Sequence, residues 1–157
     1  MDGSAHLLGV GKIVGNLHSL ELLLRLFLCE AKGEIIEFPK SQAGTMPETH
    51  LTNFMSLGDL IKSYNATLSA TEKAHSVDPT VVQVRDAIAH GRLTSLSGTF
   101  PLTLYKFGRP DAQKMVPIEF AEQITEQWLD GRRHLILDQI RKVHECGKAR
   151  KYKSFSA

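Results

Sequence analysis

Cysteine is scarce in this sequence, which holds only Cys29 and Cys146. There is no CxxC pair and no Cys/His spacing of the kind a structural zinc requires, so a zinc ribbon or finger is excluded. Two lone thiols in apolar helical patterns also exclude a disulfide scaffold and fit a reduced, cytoplasmic setting. Long apolar runs are lacking too. The longest, Leu20 to Cys29, is broken by Glu21 and Arg25 and falls short of the ~20 residues of a membrane span. No basic segment leads into an apolar one at the N-terminus, so no signal peptide and no membrane association are expected. His6, His50, His75 and His144 show no ligand spacing, and neither a metal nor another cofactor is expected. The stretch GVGKIVG (Gly9 to Gly15) lacks the GxxxxGK[ST] pattern and a preceding strand, which excludes a phosphate loop. No internal repeat or low-complexity segment is present.

What is there suits a globular chain. The 157 residues are 42% hydrophobic and 23% charged, enough for one domain with a sizeable core. We expect a helical domain over residues 1–150 and a loose basic tail over 151–157. The net charge of +2 hides an asymmetry: residues 132–157 hold eight Lys/Arg against Asp138 and Glu145, whereas the first 131 carry 11 Lys/Arg against 15 Asp/Glu. A basic end on an acidic body can attract a polyanion; a solvated tail is the plainer reading.

Hydrophobic spacing predicts a first helix over Val10 to Ala31, stopped at Gly33. Its apolar residues, Leu20 to Cys29 above all, spread beyond one face, which points to cover by a partner subunit. Glu34 to His50, with Pro39, Gly44 and Pro47, reads as a loop. A second helix is expected over Leu51 to Leu68, with Phe54 and Tyr64 on its buried stripe. Asp78 as N-cap, Pro79 at the first position and Gly91 past the end frame a third helix, with Val81, Val84 and Ile88 inward. Pro101 to Phe107 and Lys114 to Phe120 read as a β-hairpin, with Pro117 confining its second strand to an edge. A last helix is expected over Ala121 to Cys146, with Trp128, Leu135 and Val143 inward. The fold class is therefore all-α: an up-and-down bundle of four main helices with a small β-hairpin insert before the last.

The stretch RDAIAHGRL (Arg85 to Leu93) carries the most chemistry. RNA can be cut without metal when a base takes the ribose 2′-hydroxyl proton and a cation stabilises the charged phosphoryl oxygens. Histidine suits the proton transfer because its unperturbed pKa is about 6.5. Arginine suits the phosphate because its fork is bidentate and permanently charged. On an ideal helix Arg85 and His90, five residues apart, diverge by about 140°, whereas Asp86 shares a face with His90 and could orient the imidazole. Either an early helix end at Gly91 or a second subunit could complete the site. A helix end with cations near its negative pole is the plainer alternative.

RDAIAHG resembles the R-[polar]-x3-H signature of the HEPN superfamily (higher eukaryote and prokaryote nucleotide-binding domains). The match spans about seven residues; Asp86 stands where Asn is common, and the hairpin is outside the minimal pattern. The resemblance implies a compact helical bundle that cuts RNA without metal in toxin–antitoxin or phage-defence systems. It implies Arg85 and His90 as the catalytic pair at a homodimer interface, Asp86 as the supporting polar residue, and a cognate antitoxin or regulatory protein as partner. Arg92, Lys106 and Arg109 are candidate RNA contacts, with helix capping or solvated strand charge as the alternative. His18 and His134 are expected in buried or interface positions. A catalytically inactive HEPN-like dimer that binds RNA, nucleotide or protein is the other reading, and a plain helical interaction protein the third.

Overall fold

A computed structural model describes residues 3–38, 44–95 and 98–156. Pro39 of the expected loop, and the ends of the expected domain and tail at Met1 and Ala157, lie outside the described residues. The chain is mostly helical. Its elements are α1 (Gly3–Lys32), α2 (Leu57–Thr67), α3 (Thr80–His90), β1 (Arg92–Thr94), β2 (Thr103–Phe107), β3 (Ile118–Gln123) and α4 (Glu126–Ala149). The three strands form one antiparallel sheet in the order β1-β2-β3. The expected hairpin is thus β2–β3, joined by a strand that is too short, at three residues, to show an alternating pattern. Contacts cluster in two compact units, Met1–Leu17 with Thr80–Ile136 and His18–Pro79 with Leu137–Ala157, where the sequence suggests one domain.

In the second unit, α1 ends as its glycine predicts. Gly33 takes φ +66°, a conformation that costs other residues, and closes the helix with Gly33 N–H to Glu30 O and Glu34 N–H to Cys29 O. Leu20, Leu24, Phe27, Leu28 and Cys29 are buried by the chain itself. The stripe that suggested a partner subunit is therefore covered, apart from Leu22 at 41% exposure. By length and composition α1 could also cross a bilayer.

Arg25, which breaks the apolar run, organises the loop beside it. It pairs with Glu21 at 2.8 Å and donates to the carbonyls of His50, Asn53 and Met55 and to Asn53 Oδ1. That satisfaction makes a guanidinium tolerable among leucines. The bound loop displaces the expected start of α2. Ser56 Oγ accepts from Asp59 N–H as N-cap, so Leu51 to Met55 are not helical and Phe54 stands fully exposed. Local capping chemistry outweighs hydrophobic spacing here.

Part of the segment expected as a tail is packed. Lys153–Phe155 form a 3-10 turn, and Phe155 is buried against Phe27 and over Gly147, which stays within α4. A Cβ on Gly147 would lie 2.4 Å from the Phe155 ring, so glycine here is a seat for an aromatic rather than a helix stop. Arg150 caps this cluster. Its Nε and Nη2 donate to the two Glu72 carboxylate oxygens, each at 2.8 Å, Nη2 also donates to Thr67 O, and the guanidinium lies 5.1 Å from the Phe27 ring centre. Of the eight cations in the basic end, Arg132, Arg133, Arg141, Lys142 and Arg150 are ion-paired. The asymmetry in charge is largely neutralised locally.

In the first unit, α3 begins immediately after Pro79 and buries Val81, Val84 and Ala87; Ile88 is half-buried. Residues 121–123 belong to β3 rather than to the last helix. Thr125 Oγ1 accepts from Trp128 N–H and starts α4, whose Leu129 and Ile136 face inward in place of Leu135. His18 and His134 are exposed, contrary to their apolar neighbourhoods in sequence. His6 is the buried histidine. It is 0% exposed, neither ring nitrogen has a hydrogen-bond partner among the described residues, and its ring lies 5.1 Å from that of Phe100. Burial lowers its pKa, since charging it there would be costly.

Candidate active site

The end of α3 is held against the sheet by close packing. Gly91 N–H donates to Ala87 O at 2.8 Å, and a Cβ on Gly91 would sit 2.1 Å from that carbonyl and 2.8 Å from Tyr105 O on β2. Only a residue without a side chain lets helix and strand approach this closely. Gly91→Ala is expected to destabilise the protein by ~1–3 kcal/mol through this overpacking. An unchanged thermal unfolding midpoint would refute that account.

Three of the predicted residues come together. Arg85 Nη1 lies 3.0 Å from Asp86 Oδ1, both side chains about one third exposed at 28% and 31%. Lys106 on β2 lies near Asp86, and its ammonium pairs with Glu119 Oε2 at 2.9 Å. The Glu119 carboxylate, with Asp86 behind it, raises the Lys106 pKa. Asp86, Lys106, Glu119, Phe120, Gln83 and Val82 line a cavity of about 270 Å³. With Lys106 facing Glu119 and with Asp86 also on its wall, this cavity has little net attraction for an anion.

The other three stand apart. His90 closes α3 as a helical residue and is exposed. Among the described residues neither Arg85 nor Asp86 makes a hydrogen bond or ion pair with it. The expectation that Asp86 orients His90 is therefore corrected: Asp86 engages its neighbour Arg85, because a guanidinium so close offers a stronger, charge-assisted partner. The helix also does not end early enough to turn His90 back toward Arg85. Arg92 is exposed on β1, its guanidinium 5.4 Å from the Phe107 ring centre. Arg109 is exposed in the β2–β3 connection and has no ion-pair partner among the described residues. Lys106, expected as an RNA contact, is occupied by Glu119 on the side facing α3.

Sequence reasoning passed over Glu119, which lies at an irregular register between Lys106 and Phe107. It also passed over Tyr105 and Phe107, whose rings are near-parallel at 17° with centres 6.1 Å apart. The alternation in TLYKF already puts both on one face. No protein-family model, no curated protein and no solved structure matches the chain.

Proposed function

We propose that this chain is a metal-independent endoribonuclease of the HEPN type, working as a cytoplasmic homodimer in toxin–antitoxin or phage defence. The reading includes an up-and-down arrangement of the four helices. The observation that carries it is the pairing of residue types on the last turns of α3: a solvent-accessible imidazole at His90 and a guanidinium at Arg85 with Asp86 beside it.

In this reading His90 takes the 2′-hydroxyl proton, the 2′-oxygen attacks the adjacent phosphorus, and Arg85 stabilises the pentavalent phosphorane. The bond to the 5′-oxygen breaks, that oxygen takes a proton from water, and His90 returns the proton it removed to solvent. The products are a 2′,3′-cyclic phosphate and a 5′-hydroxyl. An incoming phosphate takes the place of Asp86 on Arg85, so the carboxylate holds the fork in position until substrate arrives. Arg92 and Arg109 contact the RNA backbone.

The test is incubation of the purified protein with RNA in EDTA, followed by analysis of fragment ends. Cleavage with cyclic-phosphate ends supports the reading; activity that vanishes in EDTA sinks it. A second reading, a catalytically silent dimer that binds RNA, nucleotide or a regulatory protein, is favoured by the Arg85–Asp86 pair, in which a carboxylate already neutralises the guanidinium meant for the phosphate. It predicts salt-sensitive RNA binding without cutting.

A further inference from the structure

We propose that the solvent-facing side of the three-stranded sheet is a stacking surface for unpaired RNA bases, an inference that rests on RNA being the substrate. The register defines this face. Arg92 and Thr94 pair with Tyr105 and Thr103, and Tyr105 and Phe107 pair with Ala121 and Ile118. Leu104 alternates to the opposite side and is buried beneath α3. Tyr105 and Phe107, two residues apart on one strand, therefore present neighbouring rings in nearly the same orientation. Aromatic side chains so grouped can stack bases without needing a particular base identity.

Charge selects the occupant. The two acids of the sheet turn elsewhere: the irregularity between Lys106 and Phe107 brings Glu119 to Lys106, and Glu122 pairs with Arg132 and accepts from Trp128. Asp111, in the adjoining connection, is consumed by the N–H groups of Gln113 and Met115. What remains is cationic. Arg92 lies over Phe107 and makes no ion pair among the described residues, and neither do Arg109 and Lys114 in the β2–β3 connection. A guanidinium on an aromatic ring keeps its in-plane donors free for a phosphate. The surface also continues into the candidate active site, because Gly91, which packs on the Tyr105 carbonyl, sits between His90 and Arg92. Bases stacked on the rings would place the neighbouring backbone at the end of α3. A duplex hides its base faces, so the surface should choose single strands.

The experiment measures binding, separately from cutting. Full-length His90→Ala protein, used to suppress cleavage, is titrated with a short fluorescent single-stranded RNA and with the same sequence as a blunt duplex. We expect the single strand to bind about tenfold more tightly. Tyr105→Ala and Phe107→Ala should each weaken it at least about fivefold, and Phe107→Tyr should hold affinity. Phe107→Leu, which keeps an apolar side chain and guards against a folding defect, should behave like the alanine variant. Equal affinity for strand and duplex, absence of RNA binding, or indifference to the ring substitutions overturns the proposal. So does loss of dimerisation rather than of RNA affinity in the ring variants, which would make the face a protein interface. The catalytic reading stands or falls separately, on cleavage by the wild type.

Discussion

Arg85→Ala and His90→Ala should each lose RNA cleavage by at least ~10²-fold, yet an equimolar mixture allowed to exchange subunits should recover about a quarter of wild-type activity. The reason is geometric. The third helix runs unbroken to His90, so the two side chains leave it about 140° apart, and Asp86 rather than His90 meets Arg85. Within one chain the two do not meet; in the proposed two-fold pair each site would take Arg85 from one protomer and His90 from its partner. Random pairing of the variants makes half the dimers mixed, and each mixed dimer holds one site with both residues intact. The measurement is the cleavage rate of the mixture against either variant alone. No recovery would locate the site within a single chain, and full activity in either single variant would remove the motif from the chemistry.

The second large effect is on stability. Arg150→Met should cost ~3 kcal/mol and lower the melting temperature by roughly 10 °C. The substitution keeps most of the packing over Phe27 but strands Glu72, whose carboxylate takes both arms of the guanidinium and also caps Ser69. The same pair sets an acid dependence. The Arg150 guanidinium, with Ser69 adding to it, holds the Glu72 pKa well below its ordinary 4.5. A depressed carboxylate stabilises the folded state above about pH 4.5, and that contribution is lost as pH falls toward its lower folded value. Urea unfolding at neutral pH and at pH 3 should therefore show a smaller acid loss in Glu72→Gln than in wild type. Equal losses would assign acid sensitivity to other groups.

The sequence could be read where the cause of structure is local. Gly33 ends the first helix as its position predicts, and Pro79 precedes the third. Tyr64 lies in the core as helical spacing requires. The failures have non-local causes. Phe54 matches a helical stripe but is exposed because Arg25, far back in the chain, captures the preceding loop. Arg150 looks like one more charge in a basic end until Glu72 is seen opposite it. Phe155 looks like a loose end because nothing near it in sequence shows that Gly147 leaves space for a ring. For the candidate site, residue type and helix placement could be read at Arg85 and His90. Their partners could not, since Asp86 adjoins Arg85 in the sequence and lies one helical turn before His90, so either could engage it.

The covered leucine stripe bears on how such an enzyme would be governed. With Leu20, Leu24, Phe27 and Leu28 already buried within the chain, subunit pairing cannot draw on the most apolar surface the sequence offers. A pair held by a small interface would be weak and reversible. A site completed only by a partner then empties on dilution, and below the dissociation constant the rate climbs with the square of protein abundance. In the proposed dimer, synthesis and turnover would then set a threshold beside any regulatory partner, with the cell held safe by scarcity and exposed by accumulation.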